Sequence, residues 1–417
     1  MSTILGLGAL SAQSQIAGFD KMLRMRARLK DIYVNLDGLF KRSEQEIPNA
    51  IYMRMDEKAL RGSTSVTVTM KLPLTGAVVT GNNRLAGTEE QPNTKAATVY
   101  RNNYKKAVSV EEYGVRKLDQ ESYGLYKAHI KDLGEWSKEY EGLEIRMAFL
   151  ERFGFSLQFG DTAAVCVPEW NPNVYVAGAA DADQPDYDAN LATYTNNIVA
   201  AIMASGGNSL TPVAAQTATF RMFNKVAIEA MDRKIWPLDI AGEDAYILTV
   251  SPLQASVIND ATYNATGGWA SQWYAVNRLP EKTQMWYGIL GAFKAPSGCT
   301  IYVTVDPRLA SLLPTGSAEP FSLTAGYVWP GGVDRRNYAN PNTRDASILH
   351  GKAGITNWEP EQMHFVTQDD DYARIMGHGI AGVRGLQQVQ FDQVNPNSAT
   401  REYYGSMIVV LARPNNY

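Results

Sequence analysis

The chain has 417 residues, 45% hydrophobic and 20% charged, enough to bury a full core and to divide into roughly two or three lobes. Its net charge of -4 excludes a protein whose main task is to wrap nucleic acid over its whole surface, and leaves room only for local basic faces. Two cysteines, Cys166 and Cys299, exclude a disulfide framework and a cysteine-rich metal site, and the pair reads as two buried thiols.

Met1 to Leu10 carry no basic residue ahead of a modest apolar run, so no secretory signal is read there. No segment approaches the ~20 apolar residues that cross a bilayer, and Met407 to Ala412 is only of strand length. The expectation is a protein that is intracellular when made and makes no membrane contact. From Ser14 to Phe40, Ile16, Phe19, Leu23, Ile32, Leu36, Leu39 and Phe40 form an intermittent helical pattern. Within it lie Lys21, Arg24, Arg26, Arg28 and Lys30. They read as a solvated helix face or, functionally, as a basic arm lying near polyanionic nucleic acid, whose backbone attracts Lys and Arg regardless of sequence.

Val66, Val68 and Met70 then alternate with Thr67, Thr69 and Lys71, the two-residue period of a half-buried strand. Gly76, Gly81, Asn82, Asn83, Gly87 and Pro92 punctuate a tip that carries Arg84, Glu89, Glu90 and Lys95. Thr98 to Val110 reads as one returning strand. A lone hairpin buries too little to hold itself in water. The arm is therefore either a mobile loop or covered by a neighbouring subunit.

Asp119 to Gly154 predicts one long helix. Tyr126, Leu133, Tyr140 and Met147 recur every seven residues, Trp136, Leu143 and Leu150 form the complementary row, and Lys127, Lys131, Glu135, Lys138, Glu139 and Glu151 take the wet side. Tyrosines in the stripe, with Gly124, Gly134 and Gly142, favour a sheet-backed spine over a coiled coil.

Phe155 to Tyr194 is loop-rich, with a short strand at Val174 to Val176. Asn196 to Ser205 and Pro212 to Lys234 read as helices, Tyr246 to Val250 as a buried strand, and Ser251-Pro252 as a helix start, together a small α/β lobe. Strands are expected at Trp286 to Leu290, Thr300 to Val305 and Tyr327 to Trp329. Further strands at Met363 to Val366, Gly385 to Phe391 and Ser406 to Leu411 are expected to return the chain to the sheet under the spine helix.

No catalytic or metal motif stands out. Gly377, Gly379 and Gly382 spell GxGxxG but lack the following helix and the acidic residue about 20 positions on, so they read as a glycine-rich turn into a closing sheet. Asp369, Asp370 and Asp371 lack calcium-loop spacing and read as a solvated turn or as salt-bridge partners for a neighbouring chain. His129, His350, His364 and His378 contain no zinc-protease pair, and no phosphate-cradling loop or nucleophile elbow is present. No catalytic residue, cofactor or metal is assigned.

The order of parts resembles the major capsid proteins of tailed phages with the Hong Kong 97 type fold. More narrowly, VTVTMKLPLTGAVVTGNNRLAGTEE from Val66, DASILHGKAGITNW from Asp345, the acidic Asp369 to Tyr372, GHGIAGVRGLQQVQFD from Gly377 and YGSMIVVLA from Tyr404 are similar to the capsid family of N-four-like phages. The resemblance implies an α+β fold with an N-terminal arm (1–62), an extended β-hairpin loop (63–112), a peripheral domain with a long spine helix (113–158), an axial α/β domain (159–344) and a C-terminal return to the peripheral sheet (345–417).

It also implies hexamers and pentamers tiling an icosahedral shell around packaged double-stranded DNA, with the extended loop clasping the adjacent subunit. Arg84, Glu89, Glu90 and Lys95 are the candidate intersubunit contacts, and Lys21, Arg24, Arg26, Arg28 and Lys30 the candidate DNA-proximal arm, touching DNA without sequence preference. Only about 60 residues precede the extended loop. A separate scaffolding protein is therefore expected, beside a portal protein and decoration proteins, with the chain assembled in the host cytoplasm and carried in the virion. A cellular nanocompartment shell of the same fold and an α+β enzyme are the alternatives.

Overall fold

The computed structural model describes residues 37–40, 47–55, 65–71, 94–111, 122–150, 171–176, 220–263, 272–284, 286, 288–307, 309, 344–370, 375–392 and 401–412. In chain order the first strands are β1 (Asp37–Phe40), β2 (Tyr52–Met55), β3 (Ser65–Lys71), β4 (Thr94–Tyr100) and β5 (Asn102–Glu111). The long helix α1 (Ser122–Leu150) follows, then β6 (Val174–Val176) and α2 (Phe220–Asp232). Next come β7 (Leu238–Ile240), β8 (Glu243–Val250), α3 (Pro252–Tyr263), β9 (Trp273–Ala275), the single turn α4 (Glu281–Gln284), β10 (Ile289–Lys294) and β11 (Thr300–Val305). The chain closes with β12 (Arg344–His350), β13 (Ile355–Asp370), β14 (Ile375–Gln388), β15 (Phe391–Asp392), β16 (Arg401–Glu402) and β17 (Ser406–Ala412).

Helix α1 forms inside the span its stripe predicts. Its first described half is one-sided: Lys131, Asp132 and Glu135 are exposed, while Leu133 packs with Met363, Phe365 and Ile380. Toward its end Ile145, Arg146, Ala148 and Phe149 are all buried. Its seat is a five-stranded sheet ordered β1-β2-β13-β14-β5, parallel through the first three strands and antiparallel after.

The centre of that sheet is a long hairpin, β13 with 16 residues and β14 with 14, where much shorter strands at Met363 to Val366 and Gly385 to Phe391 are expected. Glycines hide the strand pattern of β14, yet two of them are required by close approach. A Cβ on Gly382 would run into the Tyr104 ring, and one on Gly385 into the Tyr100 carbonyl. Register slips between Trp358 and Glu361, where Pro360 has no N–H to give the ladder, and again between Glu361 and His364.

The second sheet has eight strands, ordered β6-β17-β12-β8-β11-β10-β9, with β7 on β8. Phe223, Val226, Ala227 and Ala230 of α2 lie against Tyr246, Leu248, Phe293, Ile301 and Val303 on one of its faces. Ser251 caps α3, its hydroxyl accepting the Gln254 amide at 3.4 Å. This sheet corrects the expected C-terminal return: β12 and β17 pair with each other, and β12 with β8, so only β13 and β14 join the sheet under α1. Ile348, Leu349, Met407, Ile408, Val409 and Leu411 are all fully buried, the near-continuous apolar run of strands covered on both faces.

The arm is also corrected. The returning strand is two strands: β4 pairs with β3 from Ser65 opposite Tyr100 to Lys71 opposite Thr94, and after Arg101 β5 pairs with β14 instead. The base of the hairpin is not short of partners within its own chain. Val66, Ala97 and Val99 are buried with Met53, Met55, Trp358, Val389 and Phe391, and the Gln387 side chain accepts from the Tyr100 amide at 3.2 Å. The strand expected at Trp286 to Leu290 begins instead at Ile289, after Gly288 turns with a φ of 72°. The helix expected at Asn196 to Ser205 and the strand at Tyr327 to Trp329 lie outside the described residues.

Candidate functional site

The residues nominated from sequence are placed as follows. Arg84, Glu89 and Glu90, and the basic run of Lys21, Arg24, Arg26, Arg28 and Lys30, lie outside the described residues, as do Cys166 and Asp371. Lys95 belongs to β4, opposite Met70 in register. Asp369 and Asp370 end β13. The GxGxxG run is the middle of β14, paired on both sides by β13 and β5, rather than the turn expected. An extended, doubly paired backbone offers no free N–H cradle for a phosphate.

Cys299 is buried, and burial pushes its thiol up. Among the described residues no group of three His, Cys, Asp or Glu could hold a metal, and no helix is long and apolar enough to cross a membrane.

What the fold builds with charge is a set of internal locks on α1. Arg384 reaches from β14 to the helix with 7% of its side chain exposed, contacting Glu144 directly and Glu141 at 3.8 Å. Its guanidinium lies 4.7 Å from the Tyr104 ring and 5.7 Å from the Tyr140 ring, so its faces meet aromatics while its edge meets carboxylates. Burial raises both carboxyls, with Arg384 opposing. Two residues past Glu144, on nearly the opposite face of the helix, Arg146 pairs with Asp306 just past β11 and donates to the Gly142 carbonyl at 2.5 Å.

His350 closes the junction of helix and sheets, 4.4 Å edge-on from Phe149 and 3.0 Å from the Thr249 hydroxyl, itself 3.2 Å from that of Thr304. Burial, with Arg146 nearby, lowers the His350 pKa to about 3. None of Arg384, Glu141, Glu144, Arg146 or Asp306 stands out in the sequence as a site. The usable signal is that Glu144, four residues past Tyr140, falls within the apolar stripe instead of on the wet side.

A long helix laid across one sheet, locked by buried arginines to that sheet and to a second, and a hairpin arm rooted in the first sheet's core together make the Hong Kong 97 type capsid fold. Three phage heads are similar in structure. The capsid of Ralstonia phage GP4 matches over 93% of this chain and 93% of that one, with a TM-score of 0.59 at 14% identity. The Cyanophage Pam1 capsid matches over 93% of each chain at a TM-score of 0.52 and 12% identity. The head of Helicobacter pylori bacteriophage KHP40 covers 93% of this chain and 91% of that one at 0.51 and 12%. No protein-family model matches the chain, and no curated protein matches its sequence.

Proposed function

We propose that the chain is a phage major capsid protein, a structural subunit that self-assembles into hexamers and pentamers and so into an icosahedral shell around double-stranded DNA. The observation that carries this reading is the arm. Its base is fixed in the core through Val66, Ala97 and Val99, and 22 residues, 72–93, join Lys71 to Thr94 beyond that root. We read these 22 joining residues as the part of the arm that engages something outside the chain's own body. The fold it shares with phage heads supports a neighbouring subunit as that partner.

In this reading 1–62 is the N-terminal arm, the extended loop runs from β3 to β4, α1 with β5, β13 and β14 belongs to the peripheral body, and the eight-stranded sheet, β12 and β17 included, belongs to the axial domain. Arg84, Glu89, Glu90 and Lys95 form intersubunit ion pairs that set register more than strength. Lys21, Arg24, Arg26, Arg28 and Lys30 lie toward packaged DNA and bind it without sequence preference. Repeated heterologous contacts of this kind close into rings and then a shell. A scaffolding protein, a portal and decoration proteins complete the particle, which assembles in the host cytoplasm, and no catalytic role is assigned.

Replacing 72–93 with a short Gly-Ser turn tests the proposal. The variant should keep the wild-type unfolding midpoint yet sediment as free subunits where wild type sediments as large particles. Equal assembly by both chains, or no assembly by wild type with its scaffold, would sink it.

A further inference from the structure

Among the described residues, the seam between α1 and β14 holds more negative than positive charge. From the helix come Glu141, Glu144 and Tyr140, from β14 Arg384, from β5 Tyr104, from β2 Tyr52 and Arg54, and from β13 Glu359. Three carboxylates against two guanidiniums leave one negative charge over. The imbalance falls at a guarded place, since Glu144 is 13% exposed, Arg384 7% and Glu141 27%, whereas Arg54 and Glu359 are exposed and screened. Glu141 and Glu144 stand one helical turn apart and approach the same guanidinium. Glu144 hydrogen-bonds it directly, while Glu141 stands off at 3.8 Å.

We infer that this seam is a proton-sensitive latch: the Glu141–Glu144 pair takes up one proton as pH falls, Arg384 keeps the carboxylate that remains, and the spine helix seats more firmly on β14. The protonated carboxyl no longer repels its neighbour or demands solvation in a space lined by Tyr104 and Tyr140. The two carboxyls titrate as a pair, sharing one proton between them beside a single guanidinium. The direction follows from linkage. Burial raises both carboxyls above their ordinary 4.5, so between that value and the raised one the folded chain holds a proton that the unfolded chain lacks. Stability from this seam is therefore fully present below the ordinary carboxylate range and is lost as pH rises through the folded value. The latch belongs to the body of the subunit and stands apart from the capsid reading.

The test compares denaturant unfolding of the full, unassembled chain and its Glu141→Gln variant from pH 8 to pH 5. A ratio of their unfolding constants cancels His350 and other titrations. Wild type should gain on the variant as pH falls, approaching roughly tenfold per pH unit at the steepest. A ratio that stays flat or moves the other way would overturn the latch. Should the variant not fold, difference infrared spectroscopy of the wild-type chain reads the same event, as a protonated-carboxyl band growing above the pH range of solvent-facing carboxylates. Absence of that band would overturn it equally.

Discussion

Arg146 of the long helix and Asp306 beyond β11 are 160 residues apart in sequence, yet they form an ion pair with side chains only 2% and 7% exposed. The pair ties α1 to the eight-stranded sheet, while Arg384 ties it to the other. Asp306→Asn should cost about 3–5 kcal/mol, because it strands a buried guanidinium. The double change Arg146→Met with Asp306→Leu should cost much less, since neither charge then needs solvation. Urea unfolding with an unchanged slope would measure both, and equal losses would contradict the pair's role.

Rooting of the arm is tested at Val99 and Gly385. Val99→Ala removes two fully buried methyls and should cost roughly 2 kcal/mol. Gly385→Ala pushes a methyl into the Tyr100 carbonyl and should detach β4 from β14, opening the arm's base to protease. A protease pattern identical to wild type would contradict the rooting.

His350 sets the acid limit. With its pKa lowered to about 3 against an ordinary 6.5, it is neutral in the folded chain, whereas the unfolded chain binds a proton below pH 6.5. Its stability is present above that value and is lost as pH falls toward 3, by about 3 kcal/mol at pH 4. His350→Gln should flatten this acid loss without matching wild-type stability at pH 7. An unchanged acid limb would show that another group sets it.

The sequence is most informative where one periodic face decides structure. The stripe through Leu133 and Tyr140 locates α1, and the apolar runs at Val174 to Val176 and Thr300 to Val305 coincide with β6 and β11. It is least informative where partners are remote. Gly382 and Gly385 resemble turn residues until Tyr104 and Tyr100 are seen lying against them. Ile348 and Val409 are plainly core, but hydrophobicity does not tell which sheet they complete. Glu141, Glu144 and Arg384 become a site only when β14 runs beneath the helix, 240 residues on from Glu144.

Cryo-electron microscopy of the chain expressed with its scaffolding protein bears most directly on the shell. Closed particles tiled by rings of six and five copies, each arm lying over an adjacent copy, are the predicted result. Single subunits, each with 72–93 folded onto its own body, would contradict it.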